Sequence, residues 1–224
     1  VAKPLRTVIS DRDMNIYIGV AIGGKREIDM NDWAKFTIDP SLLEGTGKVL
    51  LPANYYTLAE PEYFRVRKSN SPVADVGITF TDLFYEDSRC LTDYYALPFR
   101  MTENSMNAIR EGAETCVAVI KYISTYAGTY YRMGNVTEVD AGGNPVGEPV
   151  SYGNTKDIIK CATATFKTME PRVVVCPGVG DKLETVGSLT LTMDANNNVT
   201  VEEVSGKAAI TNASGTYKLS LIHI

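Results

Sequence analysis

Along most of this chain apolar and polar residues alternate with the two-residue period of a strand that buries one face, and helical periodicity is nowhere dominant. Asn15–Ala21 (NIYIGVA), Trp33–Ile38 (WAKFTI) and residues 63–67 and 76–80 are predicted as strands of this kind. Residues 94–101 (YYALPFRM) form another, and Pro98 within it predicts an edge strand or a bulge, because proline brings no N–H to a ladder. Residues 81–92 are a polar connection with room for a single helical turn. After 105–114, the stretch 115–123 (TCVAVIKYI) is a β-branched strand. Six or seven short strands with turn signals between them, in roughly the first 123 residues, are the pattern of an antiparallel sandwich.

The segment 38–58 (IDPSLLEGTGKVLLPANYYTL) reads as an ordered crossover between two of these strands. Pro40 fixes its own φ and holds Asp39 extended, and the Asp39 carboxylate is placed to accept a local backbone N–H. Gly45 and Gly47 permit positive φ, and Pro52 bars a regular helix. Residues 124–128 read as a joint, beyond which Thr, Gly and Asn become more frequent. There 129–139 is predicted to run to a hairpin at Ala141-Gly142-Gly143-Asn144. Strands 158–167 and 172–176 turn at Glu170-Pro171, and 188–194 and 198–204 flank Asn196-Asn197. Such a meander suits an up-and-down barrel or a second sandwich.

The expected fold is therefore all-β, with two tandem antiparallel domains: a sandwich over residues 1–123 and a barrel or sandwich over 124–218. The last six residues (219–224, LSLIHI) match one translated frame of a transposon-end adapter used in preparing sequencing libraries. They are expected to be an artefact that leaves the second domain incomplete after Lys218. With no initiator Met and no signal-peptide pattern, the chain is expected to be a mature form or an excised fragment.

Charge and composition narrow the chemistry. A net charge of −5 and a pI near 5.0 argue against nucleic acid as the main partner. No apolar run approaches the ~20 residues of a membrane helix. The single histidine, His223, lies in the adapter-like tail, so Ser-His-Asp and Cys-His arrangements and His-ligated metals are excluded. Cys90, Cys116, Cys161 and Cys176 contain no CxxC, which argues against zinc. Cys161 and Cys176 either face each other across a hairpin or are buried free thiols. The 27 acidic residues show no spacing that singles out a catalytic pair. Gly178-Val179-Gly180 follows a strand, but Leu183 stands where a dinucleotide fingerprint needs its third glycine. The sequons at Asn135, Asn198 and Asn212 fit turns. No catalytic residue, metal site or cofactor is expected, and the chain reads as a non-enzyme.

Trp33, the one tryptophan, is the candidate contact residue. In its strand Ala34, Phe36 and Ile38 share one face, so Trp33 falls on the other with Lys35 and Thr37. An outward tryptophan is a platform for the apolar face of a sugar ring; otherwise it covers the sheet edge or packs on the preceding loop. The 13 tyrosines, against six phenylalanines, point the same way, with Tyr55, Tyr56, Tyr63, Tyr94 and Tyr95 offering amphipathic surface; the alternative is that most of them finish a small sandwich core with the hydroxyl reaching water.

The runs TIDPSLL…LLPANYYTL and VGITFTDLFYEDSRCLTDYYALPFRMT resemble the N-terminal immunoglobulin-like domain of a class of Bacteroidetes surface lipoproteins. The shared features are Ile38-Asp39 before a Ser-Leu turn, Leu51-Pro52…Tyr55-Tyr56, the connection from Thr81 to Phe84, and the strand from Tyr95 to Pro98. Residues 121–131 are similar to the start of the β-rich second domain that often accompanies it. The resemblance implies a lipoprotein of the outer membrane or cell surface, encoded beside glycan-utilisation systems, with the lipid anchor outside this sequence. Its implied partners are an oligosaccharide or polysaccharide and outer-membrane glycan-import proteins. A similar domain precedes the catalytic barrel of some family 18 endoglycosidases, as an accessory. The expected function is non-catalytic glycan binding. The alternatives are a structural or adhesion module at the outer membrane, or the accessory part of a glycoside hydrolase.

Overall fold

The computed structural model describes residues 4–9, 15–154, 156–178, 187–204 and 213–216. The adapter-like tail with His223, the Val179 to Leu183 stretch, Asn212 and Lys218 lie outside these residues. Backbone proximity divides the chain into two compact units, Val1–Ile123 and Ser124–Ile224.

The first unit holds β1 (Pro4–Ile9), β2 (Asn15–Ala21), β3 (Trp33–Ile38), β4 (Val49–Leu50), β5 (Tyr56–Leu58), β6 (Tyr63–Val66), β7 (Val73–Phe80), α1 (Asp82–Glu86), β8 (Tyr95–Asn104) and β9 (Thr115–Tyr122). They form one sheet in the order β1-β9-β8-β3-β6-β7-β2, with β4 beside β8 and β5 beside β7, curled into a nearly closed barrel. The sets β9-β8-β3 and β6-β7-β2 are the two halves of this sheet. β6 bonds to both β3 and β7, and so joins the halves.

Inward-facing alternate residues meet in the core, where Phe36 lies 4.4 Å from Phe64 and 5.2 Å from Phe99 between ring centroids. Phe80 and Phe84 pack at 4.4 Å under α1, and Val76, Ile78, Leu97 and Ile120 are fully buried. At ~25 cal/mol per Å² of apolar area, such burial is the main source of the unit's stability.

The crossover is ordered and adds short elements of its own: a 3₁₀ turn at Pro40–Leu43, β4, a second 3₁₀ turn at Ala53–Tyr55, and β5. Asp39 accepts the Ser41 N–H at 3.0 Å and Oγ–H at 2.7 Å, while Arg100 of β8 donates to its other oxygen at 2.6 Å. Gly45 and Gly47 both take positive φ, at 72° and 70°.

Three sequence expectations change in this unit. β1 is an additional strand, and both the β1–β9 and β4–β8 pairings are parallel. β8 is an interior strand between β9 and β3, so Pro98 marks no edge. Its carbonyl accepts the Asp39 N–H at 3.0 Å, and the donor it lacks falls where β3 leaves the sheet at Asp39-Pro40. The bulge in β8 lies instead at Thr102, since Lys35 pairs with Glu103 but Phe36 pairs with Met101.

The second unit is a half-barrel meander in the order β10 (Gly128–Tyr131), β13 (Thr163–Glu170), β14 (Val173–Cys176), β15 (Leu189–Met193), β16 (Asn198–Glu203) and β17 (Ser214–Thr216). β11 (Gly134–Val136) and β12 (Val150–Tyr152) form a separate hairpin. Tyr126, Val174 and Met193 centre the core, with Phe166, Leu191 and Val199 packed on them.

The expected single strand over 129–139 is split. After Tyr131 pairs with Thr163, the chain leaves the sheet to pair with β12. Gly153, at φ 82°, lets it do so, since a Cβ there would meet the Arg132 carbonyl at 2.7 Å. The expected strand 158–167 begins only at Thr163, because Asn154 Oδ1 takes the Lys156 and Asp157 N–H groups and a 3₁₀ turn occupies Ile158–Lys160. The Asp140-to-Asn144 and Asp194-to-Asn198 hairpins share one construction. In each, an aspartate accepts the N–H groups two and four residues on, and the fourth residue sits at positive φ (Gly143 at 81°, Asn197 at 62°).

Candidate functional site

Strand alternation sends Trp33 and Lys35 of β3, Tyr63 and Arg65 of β6 with the following Arg67, Asp75 and Gly77 of β7, and Tyr17 and Gly19 of β2 to one outer face of the first unit. Register then decides which of them meet. Trp33 pairs with Arg65, Lys35 with Tyr63, Arg65 with Asp75, and Tyr17 with Gly77. Trp33 is half-buried, and its ring meets Tyr63 edge to face at 5.5 Å. The Arg65 guanidinium lies 4.7 Å from the Tyr63 centroid and the Lys35 ammonium 5.9 Å. On the adjoining strands Arg67 stacks on Tyr17 at 4.4 Å and bonds to Asp75. Gly77 lets this happen. A Cβ there would stand 3.2 Å from the Tyr17 ring and 3.3 Å from the Arg67 guanidinium, so both lie over bare backbone.

The cations on this face are held by acidic neighbours, Arg65 by Glu60 at 3.3 Å and Lys35 by Glu62 and Glu103 at 3.7 and 3.8 Å. Exposed pairs of this kind contribute little stability. They set acidic groups beside the side chains that cover the rings. Trp33 is braced through its backbone, whose N–H donates to Ser105 Oγ at 3.0 Å and whose carbonyl accepts the Ser105 N–H at 3.0 Å. The result is a strip of aromatic surface on paired strands, interleaved with cationic hydrogen-bond donors. Such a strip suits a ligand with apolar C–H faces and ring hydroxyls.

Trp33 therefore stands where alternation placed it, and Tyr63 joins it. The other singled-out tyrosines do different work. Tyr55 and Tyr95 donate to Asp87 at 3.1 and 2.8 Å, and Arg89 grips the same carboxylate through Nε and Nη2. Arg89 also lies 5.5 Å from the Tyr94 centroid. Tyr95 opens β8 and reaches back to the preceding connection. Hydrogen bonds from Arg89, foremost, hold the Asp87 carboxyl well below the usual carboxylate range, whereas burial, with Asp87 beside it, pushes the Tyr95 phenol up. Tyr56 is half-buried on β5. Tyr17, Arg65 and Arg67 were missed by sequence reasoning, although outward alternation in β2 and β6 was the available signal.

Other perturbed groups also serve their own loops. Asp32, Asp39, Asp140 and Asp194 are each shifted down, the first by hydrogen bonds from Lys25 and the last three mainly by residues of their own turns. A general acid needs a raised carboxyl pKa, and these carboxylates move the opposite way. All four cysteines are free thiols. Burial raises Cys90 to about 12, and Cys161 Sγ is occupied by the Asn154 N–H at 3.0 Å. Among the described residues no group of three or more His, Cys, Asp or Glu side chains is placed to hold a metal.

A family model described only as a "-like, N-terminal domain" matches residues 2–108, within the first unit. No curated protein matches the chain. Among solved structures, a Bacteroides ovatus protein of unknown function is 19% identical, covers 89% of this chain and 73% of its own, and superposes with a TM-score of 0.63. The two share a fold. An auxiliary nutrient binding protein from Bacteroides thetaiotaomicron is 12% identical over 94% of this chain and 74% of its own, at a TM-score of 0.49. EndoBT-3987 of the same species, with a Man5GlcNAc product, is 21% identical over 52% of this chain and 28% of its own, at 0.38. At those scores neither carries an argument about this chain.

Proposed function

We propose that the protein is a non-catalytic glycan-binding protein of the bacterial cell surface, and that the outer face of β3, β6, β7 and β2 receives the sugar. The observation that supports this is the braced pair of Trp33 and Tyr63, flanked by Lys35 and Arg65 and continued by Tyr17 and Arg67. A ring braced by its neighbours loses little rotamer freedom on binding, which favours the weak carbohydrate contacts an extended surface makes. The sequence resemblance to surface lipoproteins supports an outer-membrane location, a lipid anchor outside this sequence, and glycan-import proteins as neighbours. The test is a glycan array followed by calorimetry. One class of oligosaccharide is expected to bind in the micromolar-to-millimolar range, about tenfold more weakly after Trp33→Ala. An empty array with folded, monodisperse protein overturns the reading.

A second reading, a docking module for another protein, draws on the second unit. There Val139, Val146, Val150 and Ile159 are exposed, Ile159 by 78%. On that reading the array is empty and binding maps to these residues.

A further inference from the structure

We infer that the glycan site of the first unit continues beyond Trp33 into an open groove at the same strand ends, and that the ligand is an uncharged oligosaccharide; this rests on the glycan-binding reading. The groove, of about 910 Å³, is lined by residues 25–30 of the β2–β3 loop and by Ser69 and Asn70 of the β6–β7 loop. The first loop runs directly into Trp33, and the second follows Arg65 and Arg67 of the platform. An oligosaccharide too long for the platform has this groove as its continuation, and the volume lies in the range of small-molecule sites.

The walls are preformed. Asn70 N–H donates to the Ile28 carbonyl at 3.0 Å and Ile22 N–H to the Pro72 carbonyl at 2.8 Å, so the two loops are bonded to each other. Asp32, 6% exposed, takes the Lys25 ammonium at 2.6 and 2.8 Å, the Asp29 N–H at 2.9 Å and the Ser105 hydroxyl at 3.3 Å. Ser105 is the residue that also braces the Trp33 backbone, so groove wall and platform share one support.

The class of ligand follows from charge. Lys25 is taken up by Asp32, and Arg26 is outnumbered in the lining by Glu27 and Asp29, so the groove carries no positive field to draw in an anionic sugar. What it offers is hydrogen bonding. Asn70 sits at φ 59°, a conformation glycine adopts more cheaply, and its side-chain amide makes no hydrogen bond to another described residue. Asparagine there maintains a free donor and acceptor on the wall, and Ser69 adds a hydroxyl.

The test uses calorimetry of the intact chain against two panels. One holds neutral gluco-, manno-, galacto- and xylo-oligosaccharides, and the other oligogalacturonates and alginate oligomers. A neutral oligosaccharide is expected to bind with an affinity that stays nearly constant from low to high salt. Asn70→Gly, which suits the backbone at this φ, is expected to weaken it about fivefold with an unchanged melting temperature. If Trp33→Ala abolishes binding while Asn70→Gly and Ser69→Ala leave it untouched, the platform stands and the groove is overturned. Binding confined to acidic oligomers, with steep salt dependence, overturns the uncharged class. An empty result on both panels overturns the groove together with the reading it rests on.

Discussion

Replacing Asp87 with alanine removes the acceptor that ties the start of β8 to the connection before it. Tyr95, 2% exposed, loses its 2.8 Å partner in a place water does not reach, which costs about 1–3 kcal/mol for an orphaned buried hydroxyl. The carboxylate also caps the 3₁₀ turn Ser88–Leu91 through the Arg89 N–H at 2.9 Å, worth about 1 kcal/mol. Arg89, with a 55% exposed side chain, turns to solvent and adds little. The expected loss is about 3 kcal/mol, or about 10 °C in melting temperature for a unit of this size. Urea unfolding followed by tryptophan fluorescence reads this unit alone, because the single tryptophan is Trp33. Tyr95→Phe alone is expected to cost about 1 kcal/mol, and the double variant less than the sum, since the buried Tyr95 hydroxyl is then gone and only the half-buried Tyr55 hydroxyl has lost its acceptor. The effect also depends on pH. The folded Asp87 pKa lies below the unfolded one, so its contribution is fully present above about pH 4 to 5 and is lost as pH falls below the unfolded value toward the folded one. The gap between the native protein and Asp87→Ala therefore narrows in acid. Additive double-variant costs, or a gap that is constant down to low pH, would refute the reasoning.

Gly19→Ala places a Cβ against the Ala74 carbonyl and 2.8 Å from the Asp75 Cβ, which forces β2 off β7. It is expected to lower the stability of the first unit by about 1–3 kcal/mol in the same urea assay. In the second unit, Asn197→Gly relieves the positive φ but removes the Oδ1 that accepts the Tyr126 hydroxyl at 3.3 Å, so it is expected to be near neutral or to destabilise by less than about 1 kcal/mol. Gly143→Ala should instead destabilise by about 1 kcal/mol, because both positions need positive φ and only glycine meets it freely. Since Trp33 lies in the other unit, this pair is read by calorimetric scanning.

Local chemistry made much of the fold legible. β2 and β3 were visible to the residue because each alternates cleanly, with Ile16, Ile18, Ala34 and Phe36 inward. The Asp39-Pro40 turn, the positive φ of Gly45 and Gly47 and the hairpin turns of the second unit are properties of a few adjacent residues, and adjacent residues show them. The outward position of Trp33 is of the same kind.

What alternation could not supply is the identity of a partner strand. Pro98 is tolerated inside the sheet only because β3 ends opposite it and β4 begins beyond. The chain leaves β10 for β12 because Gly153, far along the sequence, leaves room for the Arg132 carbonyl. The candidate site is the same case. Trp33 was readable from its own strand, but Tyr63, Arg65 and Tyr17 reach it or its neighbours through register, and register is set by burial across the whole sheet. The sequence by itself determined the all-β class, the turns and the buried face of strands that alternate cleanly, such as β2 and β3. Only the tertiary structure decided which outward side chains share a surface, because that depends on pairings between residues distant in the chain.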